Sequence, residues 1–425
     1  MTIRLYLLLA LCGVACSSPP DEGGTGAVEP SSVAATAPDA SDPSAVRPFE
    51  IHVPDEVLGD LQTRLARTRL PEPLAGAGWD YGTPVSYLAE LIAYWRDEFD
   101  WRAQERRLNE FDQFKTRIDD LDIHFIHQRS PEAKALPILI THGWPGSIVE
   151  FAEIIGPLTD PVAFGGQAGD AFHVVAASMP GYGFSDKPRQ AGFGPEQIAE
   201  VNAQLMARLG YDRYGLQGGD WGAIVSRWHA LNYAPNVAGL HINMVIAGPP
   251  PGLDDPTEGV PEAELERMQQ RQAFFQDETG YSAIQGTKPQ TLGYGLNDSP
   301  AAQAAWIVEK FRTWCDCNGD PETIFTRDQL LTNITLYWVT QTATSSARLY
   351  YESRVTSGFG VPGRVEVPTA AAIFPHELII PPRRWAEASY NLTRWTEMPR
   401  GGHFAAMEQP ELMVEDLREF FRDLR

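Results

Sequence analysis

Short apolar runs alternate with amphipathic helical patterns along the segment 118–246. One helical pattern begins at Pro195, places Ile198, Val201 and Leu205 on a single face, and ends before Gly210. Five other runs have the length and apolar content of buried strands, at residues 121–127, 136–141, 172–178, 214–217 and 237–244. Alternation of strands and helices predicts a mostly parallel sheet that is covered by helices on both faces.

The segments on either side of this alternation have different patterns. Residues 47–117 combine helical spacing with several tryptophans and show no strand alternation, which predicts a helical meander packed on a larger body. Residues 247–364 are polar, aromatic and largely helical in pattern, and strand patterns resume in residues 365–425. An insertion between two strands of one sheet predicts a helical cap above an α/β core formed by residues 118–246 and 365–425.

The first 46 residues have the pattern of an export signal and a tether. Residues 1–16 join one early arginine to a short apolar run, which predicts a cleavable signal peptide. The last four, Gly-Val-Ala-Cys, are similar to a bacterial lipobox, so we expect export to the periplasmic side with lipid on Cys16. Cleavage by an ordinary signal peptidase, followed by secretion, is the open alternative. Residues 17–46 are rich in Ser, Pro, Ala and Gly and predict a disordered tether.

Charge and composition narrow the class of partner. The formal net charge is -22, which disfavours binding to nucleic acids and to anionic lipid surfaces. We therefore expect a small, neutral and mainly apolar substrate. No obligate protein partner is evident from the sequence. Cys315 and Cys317 have no second Cys or His pair nearby, so a zinc site is disfavoured, and free thiols or a disulfide remain open.

A short glycine-rich segment provides the candidate nucleophile. Residues 218–222 read Gly-Gly-Asp-Trp-Gly and lie between a strand pattern and a helix pattern, which is the setting of a nucleophile elbow. Asp220 occupies the position that serine has in G-x-S-x-G enzymes, and the chain has no such serine motif. A carboxylate at this position can attack a saturated carbon and form an ester. An aspartate that only caps a helix would give the same local sequence, so other residues must decide.

The elbow requires a histidine and an acid later in the chain. His403 lies in a glycine-rich loop after the last strand pattern, and Glu377 follows the preceding strand pattern. Glu397 is nearer to His403 in sequence and is the less favoured alternative acid. Two backbone N–H groups should form an oxyanion hole, from Trp221 after the nucleophile and from Trp144 after an earlier strand.

Four motifs together resemble the microsomal-type epoxide hydrolases of the α/β-hydrolase superfamily. They are His-Gly-Trp-Pro-Gly-Ser at 142–147, Pro-Gly-Tyr-Gly-Phe-Ser at 180–185, Gly-Gly-Asp-Trp-Gly at 218–222, and Arg-Gly-Gly-His-Phe at 400–404. The likeness extends from about residue 48 to the C-terminus and includes the epoxide hydrolase N-terminal region.

This resemblance implies an α/β-hydrolase fold with a helical cap and the conversion of an epoxide to a vicinal diol. It implies that Asp220 attacks an epoxide carbon and that Tyr281 and Tyr350 hold and protonate the epoxide oxygen. Tyr351 adjoins Tyr350, so the register of the second tyrosine stays open. Water activated by His403 with Glu377 would hydrolyse the ester, and no metal or organic cofactor is implied.

Two other functions fit parts of the same pattern. A haloalkane or haloacid dehalogenase shares the Asp nucleophile and the histidine but needs halide-binding donors in place of an acid. A noncatalytic binding protein could keep the fold, although every catalytic position is filled in this sequence. The tyrosines favour an epoxide because an alkoxide leaving group requires an acid donor.

Overall fold

The computed structural model describes residue 42, residues 44–356, residue 360 and residues 363–425. The predicted signal peptide, Cys16 and most of the predicted tether lie outside these residues. Within the described ranges, no helix combines the length and the apolar character that a membrane span requires.

The described chain forms one nine-stranded sheet. Its strands are β1 (Arg47–Pro48), β2 (Gln113–Ile118), β3 (Leu121–Gln128), β4 (Leu136–Thr141), β5 (Phe172–Ala177), β6 (Tyr214–Gly218), β7 (Val237–Ile242), β8 (Val365–Ile373) and β9 (Tyr390–Glu397). In space the order is β1-β2-β3-β5-β4-β6-β7-β8-β9. Pairing is parallel from β5 to β9 and antiparallel from β1 to β5. The predicted mostly parallel sheet is confirmed.

Helices cover both faces of the parallel strands, as the apolar runs predict. In β4, Ile138 and Ile140 pack in one apolar cluster, while Leu139 packs in the cluster on the opposite face. A strand that is apolar on both faces must be covered twice, because either bare face would expose apolar surface to water. The helices that flank the sheet are α4 (Ala152–Thr159), α5 (Pro195–Arg208), α6 (Asp220–Asn232), α13 (Arg383–Ser389), α14 (Ala405–Glu408) and α15 (Pro410–Arg422).

The segment 47–117 contains the predicted helices but is not a helical meander throughout. It begins with the short strand β1, and strand β2 lies at its end and forms an antiparallel hairpin with β3. Its inward positions include polar side chains, so the apolar alternation that marks a strand is missing. The Gln113 side chain is 2.8 Å from His124 Nε2, and the Thr116 hydroxyl donates to the Ser44 carbonyl oxygen. Polar side chains can occupy these buried positions of β2 because they have hydrogen-bond partners.

The N-terminal helices and the cap helices pack against each other. Leu61 and Trp95, from the N-terminal helices, join one apolar cluster with Tyr281 and Trp314 of the cap. The N-terminal helices are α1 (Asp55–Ala66), α2 (Val85–Asp97) and α3 (Trp101–Leu108). The cap helices, which lie between β7 and β8 in the chain, are α7 (Glu262–Glu278), α8 (Gly280–Gln285), α9 (Pro289–Asp298), α10 (Pro300–Trp314), α11 (Arg327–Thr340) and α12 (Ala343–Thr356).

Candidate active site

Asp220 lies in a tight turn between β6 and α6, with a φ of 49°. A Cβ atom on Gly218 would lie 2.3 Å from the carbonyl oxygen of Gly222. A Cβ atom on Gly222 would lie 1.9 Å from the carbonyl oxygen of Thr141. The turn therefore excludes side chains two residues before and two residues after Asp220, which is the reason for the glycines of a nucleophile elbow.

The two carboxylate oxygens of Asp220 have different partners. Oδ1 accepts a hydrogen bond of 2.8 Å from the backbone N–H of Trp144. Oδ2 lies 3.3 Å from Nε2 of His403. Asp220 is also the first residue of α6, where the positive end of the helix dipole favours a negative charge. One oxygen is thus held by the backbone, while the other is directed toward the histidine.

Glu377 and His403 meet because β8 and β9 are parallel neighbours. Each residue follows the carboxyl end of its strand, and the backbone N–H of His376 donates to the Gly401 carbonyl oxygen at 3.1 Å. Nδ1 of His403 lies 2.6 Å from Oε1 of Glu377. This contact fixes Nδ1 as the protonated ring nitrogen and leaves Nε2 directed at Asp220.

The charges around His403 favour its protonated form. Burial acts against that form, but the negative charge of Glu377 and the hydrogen bonds with Asp220 and Glu377 raise the pKa of His403 well above 6.5. An ester on Asp220 would remove one of these two negative charges. The pKa of His403 would then fall, so more of the histidine would be neutral and able to accept a proton from water once an ester has formed.

Glu397, the less favoured acid, lies in a different environment. Its carboxylate accepts hydrogen bonds from Arg267 at 2.9 Å and from the Trp395 indole at 2.9 Å. More than half of its side chain is exposed, whereas Glu377 is only 1% exposed. The structure therefore brings Glu377, rather than Glu397, to the histidine.

Both candidate oxyanion-hole residues flank Asp220. The Trp144 backbone N–H already binds Asp220 Oδ1. Trp221 is buried in the first turn of α6, where backbone N–H groups point toward the start of the helix. The carbonyl oxygen of an Asp220 ester would occupy the position of Oδ1 and would gain negative charge when water attacks.

The two cap tyrosines pack against the tryptophans beside Asp220. The Tyr281 ring stacks on Trp144 with a centroid distance of 5.1 Å and an interplanar angle of 9°. The Tyr350 ring contacts the Trp221 ring edge-on at 4.8 Å. Tyr350 is 3% exposed and the adjacent Tyr351 is 36% exposed, so Tyr350 is the tyrosine that faces the site.

Both hydroxyl groups are held in their protonated form. Burial is the main cause that raises the pKa of Tyr281 and of Tyr350 above 10, and the charge of Asp220 raises both pKa values further. The hydrogen bond with Tyr350 acts in the opposite direction on Tyr281. A phenol that stays protonated at neutral pH can donate a proton to an oxygen that gains charge.

Trp314 contacts the histidine of the site, although the sequence alone did not identify it. The Trp314 carbonyl oxygen accepts a 3.0 Å hydrogen bond from the His403 backbone, and its ring lies 5.0 Å from the His403 ring. Cys315 and Cys317 form a disulfide, which settles the choice between a disulfide and free thiols. In the described ranges, no group of three or more His, Cys, Asp or Glu side chains is arranged to hold a metal ion.

Glu408 holds the backbone of the histidine loop and was also missed. Its Oε2 accepts from the N–H groups of Gly402 at 2.9 Å and Asp316 at 2.8 Å, and its Oε1 accepts from Phe404 at 2.9 Å. The carboxylate thus binds the backbone of the loop on both sides of His403 and connects the loop to the cap. The only signal for this role in the sequence was a glutamate that closely follows the glycine-rich loop.

Two family models match the described chain. The model of the epoxide hydrolase N terminus matches residues 46–151, and the model of the alpha/beta hydrolase fold matches residues 137–302. Together they extend from the N-terminal helices into the cap.

Similar proteins with established names cover most of the chain. Epoxide hydrolase 1 of Sus scrofa is 40% identical over 414 residues, which span 90% of this chain and 90% of that protein. The crystal structure of juvenile hormone epoxide hydrolase from Bombyx mori superimposes with a TM-score of 0.80 and 32% identity, over 90% of this chain and 95% of that one. The structure of Aspergillus niger epoxide hydrolase superimposes with a TM-score of 0.79 and 32% identity, over 91% of this chain and 98% of that one. The chain therefore belongs to the epoxide hydrolase family, within its microsomal type.

Proposed function

We propose that this enzyme converts an epoxide to a vicinal diol through a covalent ester on Asp220. The observation that carries the proposal is that the two carboxylate oxygens of Asp220 have different partners. Oδ1 is bound by the Trp144 N–H, and Oδ2 lies 3.3 Å from His403 Nε2. Family membership supports the overall reaction, and this geometry supports the two-step route.

In the first step, an Asp220 oxygen attacks an epoxide carbon and the carbon–oxygen bond of the ring breaks. The epoxide oxygen takes a proton from Tyr281 or Tyr350, because an alkoxide is a poor leaving group without an acid. The buried rings around the site favour a small, mainly apolar epoxide, since they offer apolar contact and few charges.

In the second step, His403 takes a proton from water, and the water oxygen attacks Cγ of Asp220. Glu377 holds the imidazole and stabilises its charged form. The negative charge that develops on the carbonyl oxygen of the ester is stabilised by the backbone N–H groups of Trp144 and Trp221. When the ester bond breaks, the diol leaves with the proton from His403, and the acid regenerated on Asp220 returns a proton to the tyrosinate.

The two cap hydroxyl groups favour an epoxide over a halogenated substrate. Tyr281 and Tyr350 are protonated donors beside Asp220, and a proton is what an oxygen leaving group needs. A halide leaves without protonation. The tyrosines and the family membership therefore both favour the epoxide hydrolase over a dehalogenase or a noncatalytic binding protein.

The purified protein should be incubated with styrene oxide or stilbene oxide, and the diol measured. Wild-type protein should form the diol, and Asp220→Asn should not form the ester. Intact-mass analysis of rapidly quenched wild-type protein should show an adduct of one substrate mass. Absence of diol and adduct across several epoxides, or halide release from haloalkanes instead, would contradict the proposal.

We further propose that the mature protein is exported and carries lipid on Cys16. The support is the apolar run and the Gly-Val-Ala-Cys sequence of residues 1–16, followed by the polar segment 17–46. Intact mass of the protein from membranes should show a diacylglyceryl modification on Cys16. A mature form without lipid would favour ordinary cleavage and secretion.

A further inference from the structure

A small inner cavity adjoins the nucleophile in the core. Its volume is about 20 Å³, and its lining includes Asp220, His403, Glu150, Thr141 and Gln217. A single water needs about 10–15 Å³ and two to four polar partners. The cavity therefore has the size and the lining of a site for one water molecule.

A buried hydroxyl group at this cavity calls for a partner. Thr141 is 1% exposed. Within the described ranges, its Oγ1 has no hydrogen-bond partner. A buried polar atom without a partner costs about 1–3 kcal/mol, so such atoms are usually satisfied by ordered water.

Glu150 brings a carboxyl group to the same cavity. It lies next to the loop of Trp144, and its Oε1 approaches within 1.3 Å of the point where a Cβ atom on Gly146 would lie. Because Gly146 has no side chain, the Glu150 carboxyl group can occupy this position beside Asp220. The Tyr337 hydroxyl donates to the Gly146 carbonyl oxygen at 2.7 Å and so holds the same loop from the cap.

The surroundings of Glu150 favour its neutral form. Burial raises the pKa of Glu150 to about 8, with Asp220 and Glu377 raising it and His403 and a backbone hydrogen bond from Ser147 lowering it. A neutral carboxyl group at pH 7 can accept a hydrogen bond through its carbonyl oxygen.

We propose that this cavity holds the water that hydrolyses the Asp220 ester, and that Glu150 is a positioning residue for it. The inference rests on the proposed function. His403 and Glu150 accept the two hydrogens of the water, and Thr141 donates to one lone pair. The other lone pair is then free to attack Cγ of Asp220.

The step balances as an ester hydrolysis. The water oxygen bonds to Cγ, one of its protons moves to His403 Nε2, and the π electrons of the ester carbonyl move to the carbonyl oxygen. The ester carbon–oxygen bond then breaks, and the diol oxygen takes the proton from His403. Asp220 retains one oxygen that came from the water.

The test is a single-turnover experiment with styrene oxide that resolves ester formation from ester hydrolysis. In Glu150→Ala, hydrolysis should slow by roughly tenfold to hundredfold, because a misplaced reacting group costs up to about that factor. Ester formation should stay within about twofold of wild type, since the water has no part in that step. Glu153→Ala changes an exposed glutamate one turn further on and is the matched control.

Two other variants separate positioning from a structural role. Glu150→Gln keeps a carbonyl acceptor, so hydrolysis should return to within about threefold of wild type. Thr141→Val removes the donor with little change of shape and should slow hydrolysis alone, by roughly tenfold. These two variants also carry the test if Glu150→Ala does not fold.

The outcomes are distinct. Selective loss of hydrolysis in Glu150→Ala and Thr141→Val, with recovery in Glu150→Gln, supports the inference. Unchanged hydrolysis in all three variants, equal loss of both steps, or Glu150→Gln as slow as Glu150→Ala would overturn it. If wild-type protein forms no ester on Asp220, the proposed function fails instead.

Discussion

Replacing the cap tyrosines with phenylalanine tests how the epoxide oxygen is protonated. Tyr281→Phe and Tyr350→Phe keep the rings, so the stack of Tyr281 on Trp144 at 5.1 Å and the edge contact of Tyr350 with Trp221 at 4.8 Å should persist. Each change removes one hydrogen bond to an oxygen that gains negative charge. Such a bond is worth about 1.5–3 kcal/mol.

That range sets the expected size of the effect. Each single variant should slow ester formation roughly 10-fold to 150-fold, because about 1.4 kcal/mol corresponds to a factor of ten. The double variant loses both donors and should lose about 3–6 kcal/mol, on the order of 10²-fold to 10⁴-fold. Ester hydrolysis should change much less, since His403 supplies the proton in that step.

Stopped-flow fluorescence is the natural assay, because Trp144 and Trp221 adjoin both the tyrosines and the nucleophile. Ester formation should change the indole signal, and diol release by chromatography gives the complete turnover. Tyr351→Phe is the matched control, since that neighbour of Tyr350 is 36% exposed and should show wild-type rates. Full epoxide turnover by the double variant would refute the assignment of oxygen activation to these residues.

Three other changes test the surroundings of the nucleophile and the core. Glu377→Gln should lower the pKa of His403, measured by NMR titration, and should let the ester accumulate; an unchanged pKa would contradict the charge argument. Gly143→Ala places a Cβ atom 2.1 Å from Asp220 Oδ1, so ester formation should fall roughly 100-fold in a protein with unchanged circular dichroism. Burial opposes ionisation of Asp416, but bonds from His241 and other donors lower its pKa from 3.8 to about 2. Ionised Asp416 should therefore contribute roughly 2 kcal/mol to the free energy of unfolding above pH 4, and this contribution is lost as pH falls toward 2. Urea unfolding of Asp416→Asn should lack this dependence on pH.

The site combines contacts from several separate parts of the chain. Trp144 follows β4, Asp220 follows β6, and His403 follows β9. These strands are parallel, so their carboxyl ends lie at one edge of the sheet, and residues far apart in sequence converge there. Cap residues close the site from above, and Glu408 ties the histidine loop to the cap through Asp316.

Some features were predictable from sequence because they depend on local chemistry. The alternation of apolar strands and amphipathic helices predicts the parallel sheet, since each pattern matches one backbone period. The glycines around Asp220 predict the elbow, because only a residue without Cβ fits at positions 218 and 222. The nucleophile and the histidine could therefore be proposed from single segments of the chain.

Other features depend on contacts between distant residues. Strand β2 escaped detection because Gln113 and Thr116 replace apolar contacts with hydrogen bonds to partners elsewhere. Local sequence does not distinguish Tyr350 from Tyr351, and only packing against Trp221 buries the first of them.

The sequence by itself determined the fold class, predicted the elbow and made Asp220 the candidate nucleophile, because backbone periodicity and steric limits at glycine are local. Tertiary structure decided that Glu377 rather than Glu397 reaches His403, that Cys315 and Cys317 are bonded, and that Glu150 lies beside Asp220. Those contacts depend on how strands and loops distant in the chain are brought together. A pattern within one segment of the chain does not specify such long-range contacts.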